Sequence, residues 1–301
     1  MAAIKLDGLT KDYGDVLAND DLSFEVETGE IFGYLGPNGA GKTTTIRALL
    51  GFISPTSGSA RVLGYDVTDE PALIEAKRRI GYLSDEPGFD EDATGTKILD
   101  LHAAVKGDER RDELLDLFEP PLDRPVRDYS RGNVQKLGIV TTFMHDPDLV
   151  VLDEPTSGLD PLLQQRFAEF LRAEQRNGVT VFFSSHVLSE VRRLCDRVGI
   201  IRDGQLAAVE PIDSLLERTG KSVTVNTNEP IPTDALDVDG IHDPEFGEFD
   251  GDQSDTFTEC TFTFTGDINA LMTRLGRYDL LDLSIEEAPL EDVFLKFYGE
   301  S

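Results

Sequence analysis

The sequence predicts an α/β fold: a core of alternating strands and helices with a small helical subdomain set into it, followed by a separate α+β accessory domain. Three observations predict it. Strand-sized, largely apolar runs such as Leu149-Val150-Val151-Leu152 and Val179-Thr180-Val181-Phe182-Phe183 alternate with helix-spaced segments, the pattern of a buried parallel sheet with helices on its faces. Residues 90–146 instead carry apolar side chains at helical spacing, as in Ile98, Leu99 and Leu101 and again in Leu114, Leu115, Leu117 and Phe118. Past about residue 214 the texture changes again, to a polar stretch and then a cleanly alternating one.

Taken in order, residues 4–10 and 22–27 read as strands, with Asp20-Asp21 in the loop before the second. Glu30 to Gly36 is a third strand ending in glycine, residues 42–51 a helix, and 60–65 and 79–83 further short strands. The helical subdomain occupies about 88–146 and is interrupted by Pro120-Pro121, which a helix interior does not accommodate. A buried strand at 149, a helix at 161–176, a strand at 179–184, a helix at 187–194, a strand at 198–202 and a turn at Asp203-Gly204 complete a first domain of residues 1–213. In the second, 214–301, residues 226–256 are rich in Asp, Glu, Pro and Gly and show little periodicity. The segment FTECTFTFT then places Cys260, Phe262 and Phe264 on one strand face. A helix at 268–277, a strand at 280–286 and a last helix at 290–298 follow.

The chain of 301 residues carries a net charge of −30, spread along its length. That surface repels nucleic acid, whose phosphates need a basic partner. It also repels itself until molar salt shrinks the screening length to about 3 Å, so the expected host is a salt-loving organism. No run approaches the roughly 18 apolar residues of a membrane helix, and the N-terminus does not read as a secretory signal. The expected location is the cytoplasm. Cys195 and Cys260 lie in unlike contexts and read as small buried hydrophobes rather than a disulfide.

The chemistry is concentrated in three places. Gly36-Pro37-Asn38-Gly39-Ala40-Gly41-Lys42-Thr43 fits G-x-x-x-x-G-K-[ST] with a strand before it and a helix after. Its glycines let backbone N–H groups turn inward around phosphate oxygens, and the helix start adds its positive end. Lys42 can reach the outer phosphates and the Thr43 hydroxyl a Mg²⁺ ion. Asp153-Glu154 ends an apolar strand, where carboxylates point into the same crevice: Asp153 to hold Mg²⁺ and Glu154 to polarise the attacking water. His186 follows the strand TVFFSS, where a neutral imidazole can hydrogen-bond the γ-phosphate. His102, His145 and His242 have no carboxylate or thiol at metal-ligand spacing and are assigned no function.

Together these residues resemble the nucleotide-binding domains of ABC transporters over about residues 4–210: a P-loop ATPase core with a mixed sheet. Tyr129-Ser130-Arg131-Gly132-Asn133 stands where that family has its LSGGQ signature, Ser157-Gly158-Leu159-Asp160 matches the D-loop, His186 the switch histidine, and Tyr13 the aromatic that stacks on adenine. The resemblance implies ATP hydrolysis with ATP and Mg²⁺ as cofactors. It assigns catalysis to Glu154, His186 and Lys42. It assigns nucleotide contacts to Tyr13, to Gly36, Pro37, Asn38, Gly39, Ala40, Gly41, Lys42, Thr43 and Thr44, and to Ser130, Gly132 and Asp160. Metal contacts fall to Thr43, Asp153 and Asp85. Asp85 stands in place of the usual Q-loop glutamine; an Asp is shorter and cannot donate a hydrogen bond, and Glu86 beside it is an equal candidate. The implied partners are a second copy of the chain, whose Ser130 completes the ATP site built on Lys42, and separate membrane permease subunits that hold the chain at the inner face of the membrane. PLEDVFLKFYGE at 289–300 resembles the ending of ATPases that serve ABC-2-type exporters. A soluble ATPase without a transport role, such as a cofactor-assembly factor, is the alternative.

Overall fold

The computed structural model describes residues 2–247 and 256–287, and the chain divides into two compact units, Met1–Glu210 and Pro211–Ser301. In the first unit, β1 (Ala2–Asp12) and β2 (Leu17–Glu27) pair antiparallel, and β3 (Ile31–Leu35) leaves them for a second sheet. Helix α1 (Lys42–Leu49) follows, then β4 (Ser57–Val62) and β5 (Tyr65–Asp66) return to the first sheet in the order β2-β1-β4-β5. Helix α2 (Glu70–Lys77) and β6 (Ile80–Leu83) lead into the helical segment: α3 (Gly95–Lys106), α4 (Arg111–Phe118) and α5 (Arg131–Phe143). The chain then winds through β7 (Leu149–Asp153), α6 (Pro161–Arg176), β8 (Thr180–Ser185), α7 (Leu188–Leu194), β9 (Arg197–Arg202) and β10 (Gln205–Pro211). The second sheet runs β10-β9-β3-β8-β7-β6, parallel from β9 to β6. Strands β3, β7 and β8 are buried at every position, as strands covered on both faces must be. The two sheets meet across stacked rings: Phe24 lies 5.4 Å from Phe32 and 6.4 Å from Phe182.

In the second unit, α8 (Ile212–Thr219) precedes β11 (Lys221–Pro232), β12 (Ile241–Phe246), β13 (Thr256–Phe264), α9 (Ile268–Leu275) and β14 (Leu280–Glu287). The sheet order is β12-β13-β11-β14, antiparallel throughout. Its core holds Val223, Val225, Phe257, Leu271 and Leu275. Cys260, Phe262 and Phe264 face the same core, as the alternation predicts. Both cysteines are free and buried.

Two expectations need correction, and one helix has no counterpart in the sequence reading. Asp20 and Asp21 lie inside β2, not in a loop before it. The strand absorbs them through register shifts against β1 and a left-handed Asp21 (φ 53°), which turn both side chains outward. Residues 226–246 contain most of β11 and all of β12 rather than irregular chain. Strand β11 is polar because only alternate positions of its first half meet the core, and β12 is acidic because it is an edge strand with five of its six residues exposed. Helix α2 has no sequence-level periodicity strong enough to announce it; Asp69 caps it, accepting from the Ala72 amide, and Pro71 sits in its first turn. The expected helix at 290–298, with the PLEDVFLKFYGE segment, lies outside the described residues.

Candidate functional site

The loop between β3 and α1 is shaped by its glycines. Gly41 has φ +106°, and a Cβ there would meet the Ala18 carbonyl at 2.4 Å; one at Gly36 would meet the Ile201 carbonyl at 2.4 Å. Gly41 also caps α1 without any side-chain hydrogen bond. The first amides of the helix therefore have no internal acceptor and suit an anion. Lys42 folds back over the loop, donating to the carbonyls of Gly36 at 2.6 Å and Pro37 at 3.3 Å, with Glu154 Oε1 at 3.5 Å.

Parallel pairing of β7 beside β8 delivers the carboxylates to this loop. Asp153 ends β7, is 5% exposed, and accepts from Thr43 Oγ1 at 3.2 Å. Burial holds its pKa above the ordinary carboxylate value. This pair of oxygens suits a hard divalent cation that also takes phosphate and water oxygens. Glu154 adopts a left-handed backbone (φ 49°), an uncommon state for a side chain of this size. Its amide bonds the Ser184 carbonyl at 3.0 Å, and its carboxylate reaches His186 Nδ1 at 2.8 Å. Glu190 ties the flanking segments together, accepting from Thr156 at 2.5 Å and from Ser185 at 2.9 Å.

These groups border one cleft of about 780 Å³. It brings together Tyr13, Pro37, Asn38, Gly39, Gly41, Lys42, Thr43, Thr44, Asp85, Asp153 and Glu154. Gly36 and Ala40 shape the loop from behind, and His186 joins through Glu154. Ser130, Gly132 and Asp160 do not line this cleft. Ser130 caps α5 and Asp160 caps α6, while Gly132 packs against the Gly158 carbonyl.

Asp85 stands at the cleft edge, but its carboxylate is engaged: Arg131 Nη2 donates to it at 3.0 Å and to Ser157 Oγ at 2.6 Å. The start of α5 is thereby joined to two loops far apart in sequence by one guanidinium, a connection no local pattern reveals. Val16, Leu17, Ala18, Asp203 and Gly204 also line the cleft and were not anticipated. The Asp203-Gly204 turn was legible as a turn; its approach to the loop, through Gly204 N–H to the Ala40 carbonyl at 3.1 Å, is tertiary.

Comparison with known proteins agrees with this geometry. Residues 19–157 match the family model described as ABC transporter. The chain is 37% identical to the bacitracin transport ATP-binding protein BcrA of Bacillus licheniformis, over 98% of this chain and 97% of that one. It is 38% identical to the daunorubicin/doxorubicin resistance ATP-binding protein DrrA of Streptomyces peucetius, over 73% and 69% of the two chains. A solved ATP-binding subunit of an ABC transporter superposes with a TM-score of 0.67 at 31% identity, covering 72% of this chain and 92% of that one.

Proposed function

The chain belongs to the ATP-binding subunits of ABC transporters, which are ATP hydrolases, and from that membership we propose that it powers an exporter of the drug-resistance type. Support for the exporter comes from the relatives that act in bacitracin transport and in daunorubicin/doxorubicin resistance. The observation that carries the site is the meeting of Lys42, Thr43, Asp153 and Glu154 in one cleft.

In this reading, ATP lays its phosphates along Gly36–Thr44, with the adenine on Tyr13. Lys42 exchanges the Gly36 and Pro37 carbonyls for β- and γ-phosphate oxygens. Thr43 and Asp153 hold Mg²⁺, which when bound neutralises charge on the phosphate oxygens. Glu154, steadied by His186, accepts a proton from water as its oxygen attacks the γ-phosphorus in line and the bond to the β–γ bridging oxygen breaks. Asp85 enters as a cleft-edge group paired with Arg131 rather than as a free metal ligand. Ser130, Gly132 and Asp160 serve the nucleotide of a second copy of the chain, which explains why they stand outside this chain's cleft.

Among the described residues no helix is long and apolar enough to cross a membrane, so the pathway is assigned to separate permease subunits. Leu101 and Val105 stand 62% and 72% exposed on α3 and offer them an apolar seat. The chain then works at the cytoplasmic face of the membrane, in a cell whose salt screens its charge. The test is a pull-down with tagged Glu154→Gln protein and MgATP in molar KCl from solubilised membranes of the native host. Recovery of a polytopic membrane protein in amounts comparable to the bait supports the exporter. Recovery of soluble proteins alone, with ATP binding intact, overturns it.

A further inference from the structure

Behind the phosphate loop lies a buried polar knot that the hydrolysis described above does not use. Asn19 in β2, Tyr34 in β3 and Thr45 in α1 are each 0% exposed. Thr45 Oγ1 accepts from Asn19 Nδ2 at 3.0 Å, lies 3.1 Å from Tyr34 Oη, and donates to the Gly41 carbonyl at 3.1 Å. Since the Thr45 proton is spent on Gly41, Tyr34 is the donor of its pair; burial raises the phenol's pKa and keeps it protonated. The same Gly41 carbonyl also accepts from Asn19 Nδ2 at 3.3 Å and from the Thr45 backbone N–H at 3.0 Å. Three donors thus converge on one oxygen, and Asn19 presses so close that a Cβ on Gly41 would meet its Nδ2 at 2.8 Å.

That oxygen belongs to the Gly41–Lys42 peptide, whose N–H opens α1. Anchoring the carbonyl fixes the direction of the N–H, and polarising it makes the N–H a better donor. Asn19 Oδ1 has no hydrogen-bond partner among the described residues. An apolar side chain would avoid that cost, so the amide is accounted for by what its Nδ2 does for Gly41. We propose that Asn19, Thr45 and Tyr34 are positioning residues that set this chain's affinity for polyphosphate by orienting the Gly41–Lys42 peptide. The inference rests on the assignment of Gly36–Thr43 as the phosphate site.

The test uses the full chain in molar KCl, titrated calorimetrically with ADP and with pyrophosphate, which has neither base nor ribose. Thr45→Val keeps the shape and loses the hydroxyl; Thr45→Ser does the reverse. Thr45→Val and Asn19→Leu are expected to weaken both ligands about tenfold, equivalent to about 1.4 kcal/mol, and Tyr34→Phe by a smaller factor, while Thr45→Ser binds as wild type. If Asn19→Leu does not fold, the Thr45 pair decides alone. Equal affinities for Thr45→Val and Thr45→Ser, or an effect on ADP that pyrophosphate does not share, would overturn the proposal. A Lys42→Ala chain that binds pyrophosphate like wild type would instead bring down the phosphate-site assignment, and this inference with it.

Discussion

Replacing Lys106 by methionine is expected to stabilise the chain, by an amount that depends on pH. Lys106 ends α3 and donates to the Ile80 carbonyl at 2.6 Å. Burial, with the charge of Lys77 second, pushes its ammonium down from 10.5 to about 8. At about 1.4 kcal/mol per pH unit, folding with the proton on costs about 3 kcal/mol. Methionine removes that cost and gives up the bond to Ile80, worth about 1 kcal/mol, for a net gain of about 2 kcal/mol at pH 7. The sign follows from a lowered base. Below pH 8 both folded and unfolded chains hold the proton and the cost is complete. Between pH 8 and 10.5 only the unfolded chain holds it, so the wild type gains stability and the difference closes. Urea unfolding of both proteins at fixed KCl across this range measures it. A Lys106→Met chain less stable than wild type at pH 7, or a difference that does not shrink above pH 8, would refute the reasoning. Nearby His145, pushed down to about 4 by burial and then by Lys106, contributes stability that is lost as pH falls from 6.5 to 4. That acid limb should be shallower in the methionine variant.

Glu154→Gln should lower ATP turnover by about 10²- to 10⁴-fold with nucleotide affinity kept, as expected for loss of a general base; turnover within tenfold of wild type in a steady-state phosphate-release assay would remove Glu154 from that role. Arg110→Ala leaves the buried Glu174 without its bidentate partner, now held at 2.5 and 2.8 Å, and should cost about 3–5 kcal/mol in urea unfolding, whereas the double change Arg110→Met/Glu174→Leu should cost far less. Asp85→Asn breaks an ion pair whose side chains are 43% and 58% exposed, so the unfolding free energy in urea should change by less than about 1 kcal/mol; a larger loss would show that Arg131 anchors its two loops through charge.

How far the sequence carries is decided by where the information lies. The loop from Gly36 to Thr43 and the Asp153-Glu154 pair were legible because their chemistry is written in consecutive residues, with a strand and a helix at fixed positions around them. The buried strands β7 and β8 were legible because both faces are covered and the apolar run is unbroken. Asp20 and Asp21 misled because acidic residues in an edge strand read like a loop, and their backbone is held by β1 and by the Gly204 carbonyl, which accepts from Asp20 N–H at 2.8 Å. The same polarity hid β12. The bond from Arg131 to Asp85 and the knot on Gly41 join residues dozens of positions apart. Asn19 in particular looked like one more polar residue in an acidic chain until β2 carried it under the loop.

The proposed function places ATP between two copies of this chain, where it is held and hydrolysed. Its most direct test is the mass of Glu154→Gln protein by light scattering, with and without MgATP, in 2 M KCl. The expected result is a monomer of 33.2 kDa without nucleotide and a species of twice that mass with MgATP, lost on Lys42→Ala or on blocking the second chain's contact with Ser130→Phe, and weakened in dilute buffer where the charge of −30 is unscreened. A chain that binds MgATP yet stays monomeric at every salt concentration, or dimerises equally well without it, does not work through a nucleotide shared between two copies.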